Sequence, residues 1–114
     1  MSATGEHRII GDESELPRGS YFYVLPVPVE KGQLALIELR GDPEFIIVGR
    51  WFPNVLGYDW IFQRRRVIQC TSNVPVRVLG LVISVEDPPK QITNLREDEY
   101  EHLFEGPFPR TLNC

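Results

Sequence analysis

Gly32-Gln33-Leu34-Ala35-Leu36-Ile37-Glu38-Leu39 runs into Arg40-Gly41-Asp42-Pro43 and then into Glu44-Phe45-Ile46-Ile47-Val48-Gly49-Arg50-Trp51-Phe52. Two runs rich in aliphatic and aromatic residues flank a Gly-Asp-Pro turn signal, which is the pattern of a β-hairpin. Side chains alternate along a strand, so Leu34 and Leu36 point one way while Ala35, Ile37 and Leu39 point the other. Both sets are apolar. The hairpin is therefore expected to be buried on both sides, at the centre of the sheet system, with the rest of the chain packed on it.

The chain around this hairpin has 114 residues, 42% of them hydrophobic and 25% charged, enough apolar matter for one globular domain. Ten prolines and nine glycines, set among short apolar runs, argue for a mostly β architecture with frequent turns. The net charge of -4 argues mildly against general nucleic-acid binding, which needs a basic footprint. No apolar run reaches the roughly 18 residues of a membrane span. The N-terminus lacks the apolar core of a signal peptide, so a cytoplasmic protein with no membrane contact is expected. Cys70 and Cys114 are too few for a disulfide framework, and free thiols are expected at both.

Taken in order, residues 1–8 read as a flexible N-terminus, 9–86 as the β core, and 87–114 as a helix and tail of the same domain. Ile9 and Ile10 open a short strand, and Gly11 to Gly19 reads as a polar loop. Strands are expected from Ser20 to Leu25, Tyr58 to Gln63, Val67 to Cys70 and Val76 to Val85. Pro26 and Pro28 exclude a central strand between Pro26 and Lys31. Pro53 to Gly57 reads as a turn, and Gly80 as a bulge or bend. Asn94 with Glu97 fits a helix start, and Gly106-Pro107 a stop. Leu95, Tyr100, Leu103 and Phe104 share one helical face, with most of the acidic residues elsewhere. A short acidic helix docked on the β domain follows.

The order of these pieces resembles the C-terminal domain shared by LexA, UmuD and phage repressors, a signal-peptidase-like β architecture. Gly11-Asp12 with Leu16-Pro17-Arg18-Gly19-Ser20 resembles that family's first loop and strand. Gly32-Gln33-Leu34-Ala35-Leu36 resembles its second strand. Val48-Gly49-Arg50 stands where Val-Lys-Arg is expected, and Val78 to Val85 resembles the closing strand. The family cleaves itself with a serine nucleophile and a lysine base kept neutral by burial. Here Glu13 stands at the serine position and Ser14 follows one place later. Gly49 stands at the lysine position. Arg50 cannot act as the base, because guanidinium keeps its proton. The resemblance thus implies the scaffold without the peptidase.

Arg64-Arg65-Arg66 beside Trp60 and Phe62 is the other cluster with functional content. Three cations next to aromatics suit an acidic protein partner, a nucleic-acid strand, or a solvated turn whose arginine stems cover apolar surface. Phe108, in the apolar tail Pro107 to Leu112, either folds back on the body or docks on another chain. These six residues (Trp60, Phe62, Arg64, Arg65, Arg66 and Phe108) are the candidate partner-binding set. No cofactor is expected, and His7 and His102 lack ligand spacing for a metal. The resemblance implies a non-catalytic interaction module, regulatory in a bacterium or phage. It would form a homodimer, or a heterodimer with a protein carrying a similar domain. The alternatives are a residual serine hydrolase using Ser14 and a small nucleic-acid-binding β protein using Arg64 to Arg66.

Overall fold

The computed structural model describes residues 6–8 (backbone), 16, 21–42, 44–71, 73–85, 90–105 and 110–113. In chain order they form β1 (Glu6–Arg8), β2 (Tyr21–Leu25), β3 (Leu34–Leu39), β4 (Ile46–Val55), β5 (Tyr58–Phe62), β6 (Val67–Cys70), β7 (Val76–Ser84), α1 (Glu97–Leu103) and β8 (Thr111–Asn113). The strands make one eight-stranded sheet in the order β1-β2-β7-β3-β4-β5-β6-β8. All neighbours are antiparallel except β6 and β8, which run parallel. The protein is mostly β with one short helix near the C-terminus, as the turn-rich composition implied.

The hairpin formed by β3 and β4 sits at the middle of this sheet. Its turn is tight. Asp42 N–H donates to Leu39 O at 3.0 Å, and Arg40 and Gly41 both have positive φ, 58° and 65°. That is the backbone twist of a type I′ turn. A second turn, with Phe45 N–H donating to Asp42 O at 2.9 Å, carries the chain on to β4, and Leu39 N–H donates to Phe45 O at 2.9 Å. β4 and β5 are joined more tightly, by a two-residue turn of Leu56 (φ 52°) and Gly57 (φ 83°) between the paired Val55 and Tyr58. The strand β4 runs on to Val55, and the turn is confined to Leu56-Gly57. The turn expected from Pro53 onward is instead a strand with an irregularity between Phe52 and Val55.

The alternation read from the sequence divides the core in two. Leu34 and Leu36 join Phe22, Val24, Val48 and Val82 on one face. Phe52, Trp60, Phe62 and Val67 continue this face, covered by Leu95, Tyr100, Leu103 and Phe104 of the helical segment. On the other face Ala35, Ile37 and Leu39 pack with Ile61, Ile68 and Cys70. Among the described residues no helix lies on this second face, yet Ala35, Ile37 and Ile61 are each 0% exposed. The sheet curls over its own side chains to bury them. Leu39 of β3 and Leu112 of β8 line one small groove, although four strand spacings separate their strands, about 19 Å in a flat sheet.

Gly80 marks the expected bulge. Leu36 pairs with Gly80 but Ile37 pairs with Val78, so Leu79 is the extra residue. A side chain at Gly80 would put Cβ 2.4 Å from the Leu25 carbonyl oxygen, so only glycine lets β7 lie this close to β2.

The helix is amphipathic and docked, as expected, but it starts two residues later than the Asn94 cap predicts. Arg96 is the cap residue, and the Glu99 carboxylate accepts its backbone N–H at 3.1 Å. Glu97, Asp98 and Glu99 fill the first turn, where the helix dipole favours negative charge.

Three further expectations change. Residues 6–8 pair with β2 as β1. The sheet extends past residue 86, because β8 adds to β6; the strand thought to start at Ile9 and Ile10 lies outside the described residues. Cys70 is fully buried and disulfide-bonded, which corrects the free thiol expected there. Parallel pairing of 67–69 with 111–113 brings the end of β6 beside the end of β8.

Candidate partner-binding surface

The strand directions gather the arginines. β3 ends at Leu39, β5 runs antiparallel to β4 and turns at Gln63–Arg66 into β6, and β8 starts beside Val67. Arg40, Arg64, Arg65, Arg66 and Arg110 therefore lie at one end of the sheet. The acidic side chains of α1 lie on the solvent side of the helix that covers the aromatic face.

The arginine turn is built on a buried amide. Gln63 is only 8% exposed. Its Nε2 donates to the Val48 carbonyl at 2.9 Å, its backbone N–H donates to Arg66 O at 2.9 Å, and its Oε1 accepts from Arg66 Nε. A buried amide with its partners in place fixes the turn, because leaving such a group unpaired costs about 1–3 kcal/mol. Arg64 and Arg65 are exposed at the tip and Arg66 is half-buried at its base.

Trp60 and Phe62 are not beside these guanidiniums at the surface. Each is 5% exposed. Phe52 lies edge-on to Phe62, Tyr100 and Phe104 at centroid distances of 5.2, 5.3 and 5.3 Å, and Phe104 is edge-on to Trp60 at 5.4 Å. Trp60 Nε1 donates to Val55 O at 2.7 Å. The expectation that these two rings offer a surface to a partner is corrected: alternation put them on one face, and α1 covers that face. Phe108 lies outside the described residues, as does Ser14. The tail folds back at least over β8, whose Leu112 packs on the strand core.

A groove opens at the arginine end, enclosing about 140 Å³. Its lining is mostly apolar, Leu39, Phe45, Ile47, Ile68 and Leu112, with Arg40, Arg66 and Asn113 as its polar members. Arg40 is held from two directions. Its backbone N–H donates to Pro75 O at 2.8 Å, and its guanidinium carbon sits 5.6 Å from the centroid of the Phe45 ring. A left-handed backbone costs a non-glycine residue roughly 1–2 kcal/mol, so this arginine occupies a position that glycine or asparagine would fill with less strain.

The positions tied to the resembled chemistry are also defined. A Cβ on Gly49 would lie 2.5 Å from Ile61 Cγ2, so the packed neighbour strand leaves no room for a side chain there. Arg50, next to it, is 6% exposed, with Nη1 donating to Gly32 O at 3.0 Å and Nη2 to Thr93 O at 3.1 Å. It ties β4 to the turn before β3 and to the segment before α1. Sequence reasoning missed this role, since a lone arginine in an apolar run carries no signal for which carbonyls it reaches. Lys31 Nζ lies 5.5 Å over the Tyr100 ring. Lys90 is exposed, and the Ser84 hydroxyl bonds to its backbone, donating to Lys90 O at 3.0 Å. On the acidic helix, His102 Nδ1 is 3.2 Å from Glu105 Oε2. That hydrogen bond and the Glu105 charge raise the imidazole pKa above its ordinary value; desolvation opposes them, and Asp98 and Glu101 add smaller upward contributions.

No protein-family model matches the chain, and no curated protein or solved structure matches it either. No helix among the described residues is long and apolar enough to cross a membrane.

Proposed function

We propose that this chain is a non-catalytic protein-interaction module related to LexA-type repressor C-terminal domains, regulatory in a bacterium or phage, and acting as a homodimer or as the partner of a protein with a similar domain. The observation that carries the reading is Gly49. In the resembled scaffold a lysine base would stand there, and here the adjacent strand fills the space a side chain would need. Arg50 is committed to two backbone carbonyls, and a guanidinium does not serve as a proton-abstracting base. A serine nucleophile without a neutral base at hand is a weak one.

The sheet supports the interaction half of the reading. Its arginine end presents Arg64 and Arg65 on a turn anchored by Gln63, beside a small apolar groove. The nucleic-acid alternative loses support from the burial of Trp60 and Phe62, since base stacking needs exposed ring faces.

Two measurements test the proposal. A fluorophosphonate probe should leave the protein unlabelled; labelling that disappears in Ser14→Ala would establish the hydrolase instead. Sedimentation velocity at micromolar concentration should show a dimer. A monomer across that range would remove self-association and leave only the heteromeric form.

A further inference from the structure

We propose that the groove at the arginine end is a docking site for a short extended peptide segment of a partner protein, in which one aliphatic side chain is flanked by a carboxylate. The inference rests on the interaction-module reading above and names the partner chemistry that one surface would select.

The groove holds about 140 Å³, room for a single aliphatic side chain. Its lining residues Leu39, Ile47, Ile68 and Leu112 offer that side chain apolar surface, and transfer of apolar surface from water drives it in. Arg40 and Arg66 are among the lining residues too. An incoming carboxylate beside the buried side chain meets the exposed guanidinium of Arg40, and a charge-assisted hydrogen bond is stronger than a neutral one. Arg64, Arg65 and Arg110 lie at the same end and extend the positive field outward. They steer an acidic segment toward the groove.

Two independent features favour a built site over a packing gap. Arg40 occupies a left-handed backbone position, φ 58°, where the hairpin alone would favour glycine or asparagine. Backbone strain of this kind collects at binding sites, where the gain is functional. The side chain is also pre-positioned over Phe45, so little rotamer freedom remains to be lost when a ligand arrives. Beyond the groove, β8 closes the sheet, with β6 as its one strand neighbour among the described residues. An extended segment is the backbone shape that lies naturally along such an edge.

A nucleic-acid strand fits this surface less well. Phosphates need no apolar lining, the rings that would have stacked on bases are buried, and Phe45 already has a guanidinium over it.

The test is a selection from a random peptide library displayed on phage, against the full chain, followed by NMR titration of the best synthetic peptide. The enriched peptides should share an aliphatic residue adjacent to Asp or Glu. Amide shifts should centre on Ile47, Ile68 and Leu112. Affinity should fall about tenfold in Arg40→Glu, by loss of a charge contact, and should weaken as salt is raised. Replacing the peptide's aliphatic residue with serine should abolish binding. Phe45→Ser, on an exposed ring, provides a second variant and should weaken binding without unfolding the chain.

Absence of enrichment, enriched peptides lacking an acidic residue, shifts located elsewhere, indifference to Arg40→Glu, or equal displacement by an oligothymidylate would each overturn the proposal. Sedimentation of the same samples keeps it separate from the dimer reading. A monomer that binds peptide through the groove leaves this inference standing. A dimer dissociated by Arg40→Glu reassigns the groove to self-association and sinks it.

Discussion

The two faces of the sheet solve the same burial problem by different means. One is aromatic and roofed by a helix: Phe52, Trp60 and Phe62 meet Tyr100 and Phe104 edge to face. The other is aliphatic and has no helix among the described residues; Ala35, Ile37, Ile61 and Ile68 are closed in by the curl of the strands that carry them. A helix can lift off a face and leave the sheet behind it. A curl cannot relax without parting strands. The first face should thus yield locally and the second only with the whole fold.

Phe52→Ala should have the largest effect, about 3–5 kcal/mol of lost stability in urea unfolding, because the ring is 0% exposed and central to three edge contacts. Amide exchange should show Glu97–Leu103 losing protection beyond the global loss. Trp51 lies on the aliphatic face and Trp60 on the aromatic one. In a Trp51→Phe background, emission of Trp60 should therefore shift to the red. Ile37→Ala should cost somewhat less, about 2–5 kcal/mol, and lower protection throughout the sheet with no extra loss in the helix. The two substitutions should add within about 0.5 kcal/mol. A larger coupling would break the division into independent faces.

Smaller effects sharpen the contrast. Leu56 touches neither face: it is 73% exposed with φ 52°. Leu56→Asn should stabilise by about 1 kcal/mol, by relieving a left-handed backbone, and leave both tryptophan signals unmoved. The smallest effect belongs to His102, on the outside of the helix roof. Its pKa is raised, so the stabilisation it supplies is present below its ordinary value of 6.5 and is lost as pH rises through the folded value. NMR titration should give a midpoint above 6.5, returning toward it in Glu105→Gln. Helix protection should weaken slightly across that window while the aliphatic face stays unchanged.

Much of the sheet was legible because its strongest strands announce themselves through alternation. Leu34 to Leu39 gave its two faces directly, and Gly80 gave its bulge. The helical face of Leu95, Tyr100, Leu103 and Phe104 was legible for the same reason, a period matched to its structure. What stayed hidden depends on encounters distant in sequence. Nothing local to Trp60 and Phe62 says that a helix some forty residues later will cover them. Three residues of β8 are too few for a period to be read. The partners of Gln63 and Arg50 cannot be read from sequence, because only the fold supplies the carbonyls of Val48, Gly32 and Thr93 that hold them. The arginine run was legible as charge. Its companion Arg40 was not, since it joins the group only when strand directions bring separate turns to one end.

The placement of β7 between β2 and β3 has a kinetic consequence. The hairpin of β3 and β4 needs only neighbouring residues and forms on the microsecond scale. It must then wait for Val76–Ser84 to dock along its open side, across a span of about forty residues whose closure slows the search. During that interval the Leu34–Leu39 backbone is an unprotected apolar edge, the species most prone to pair with another chain. Refolding yield should therefore fall with protein concentration, with the capture of β7 as the step that competes against aggregation.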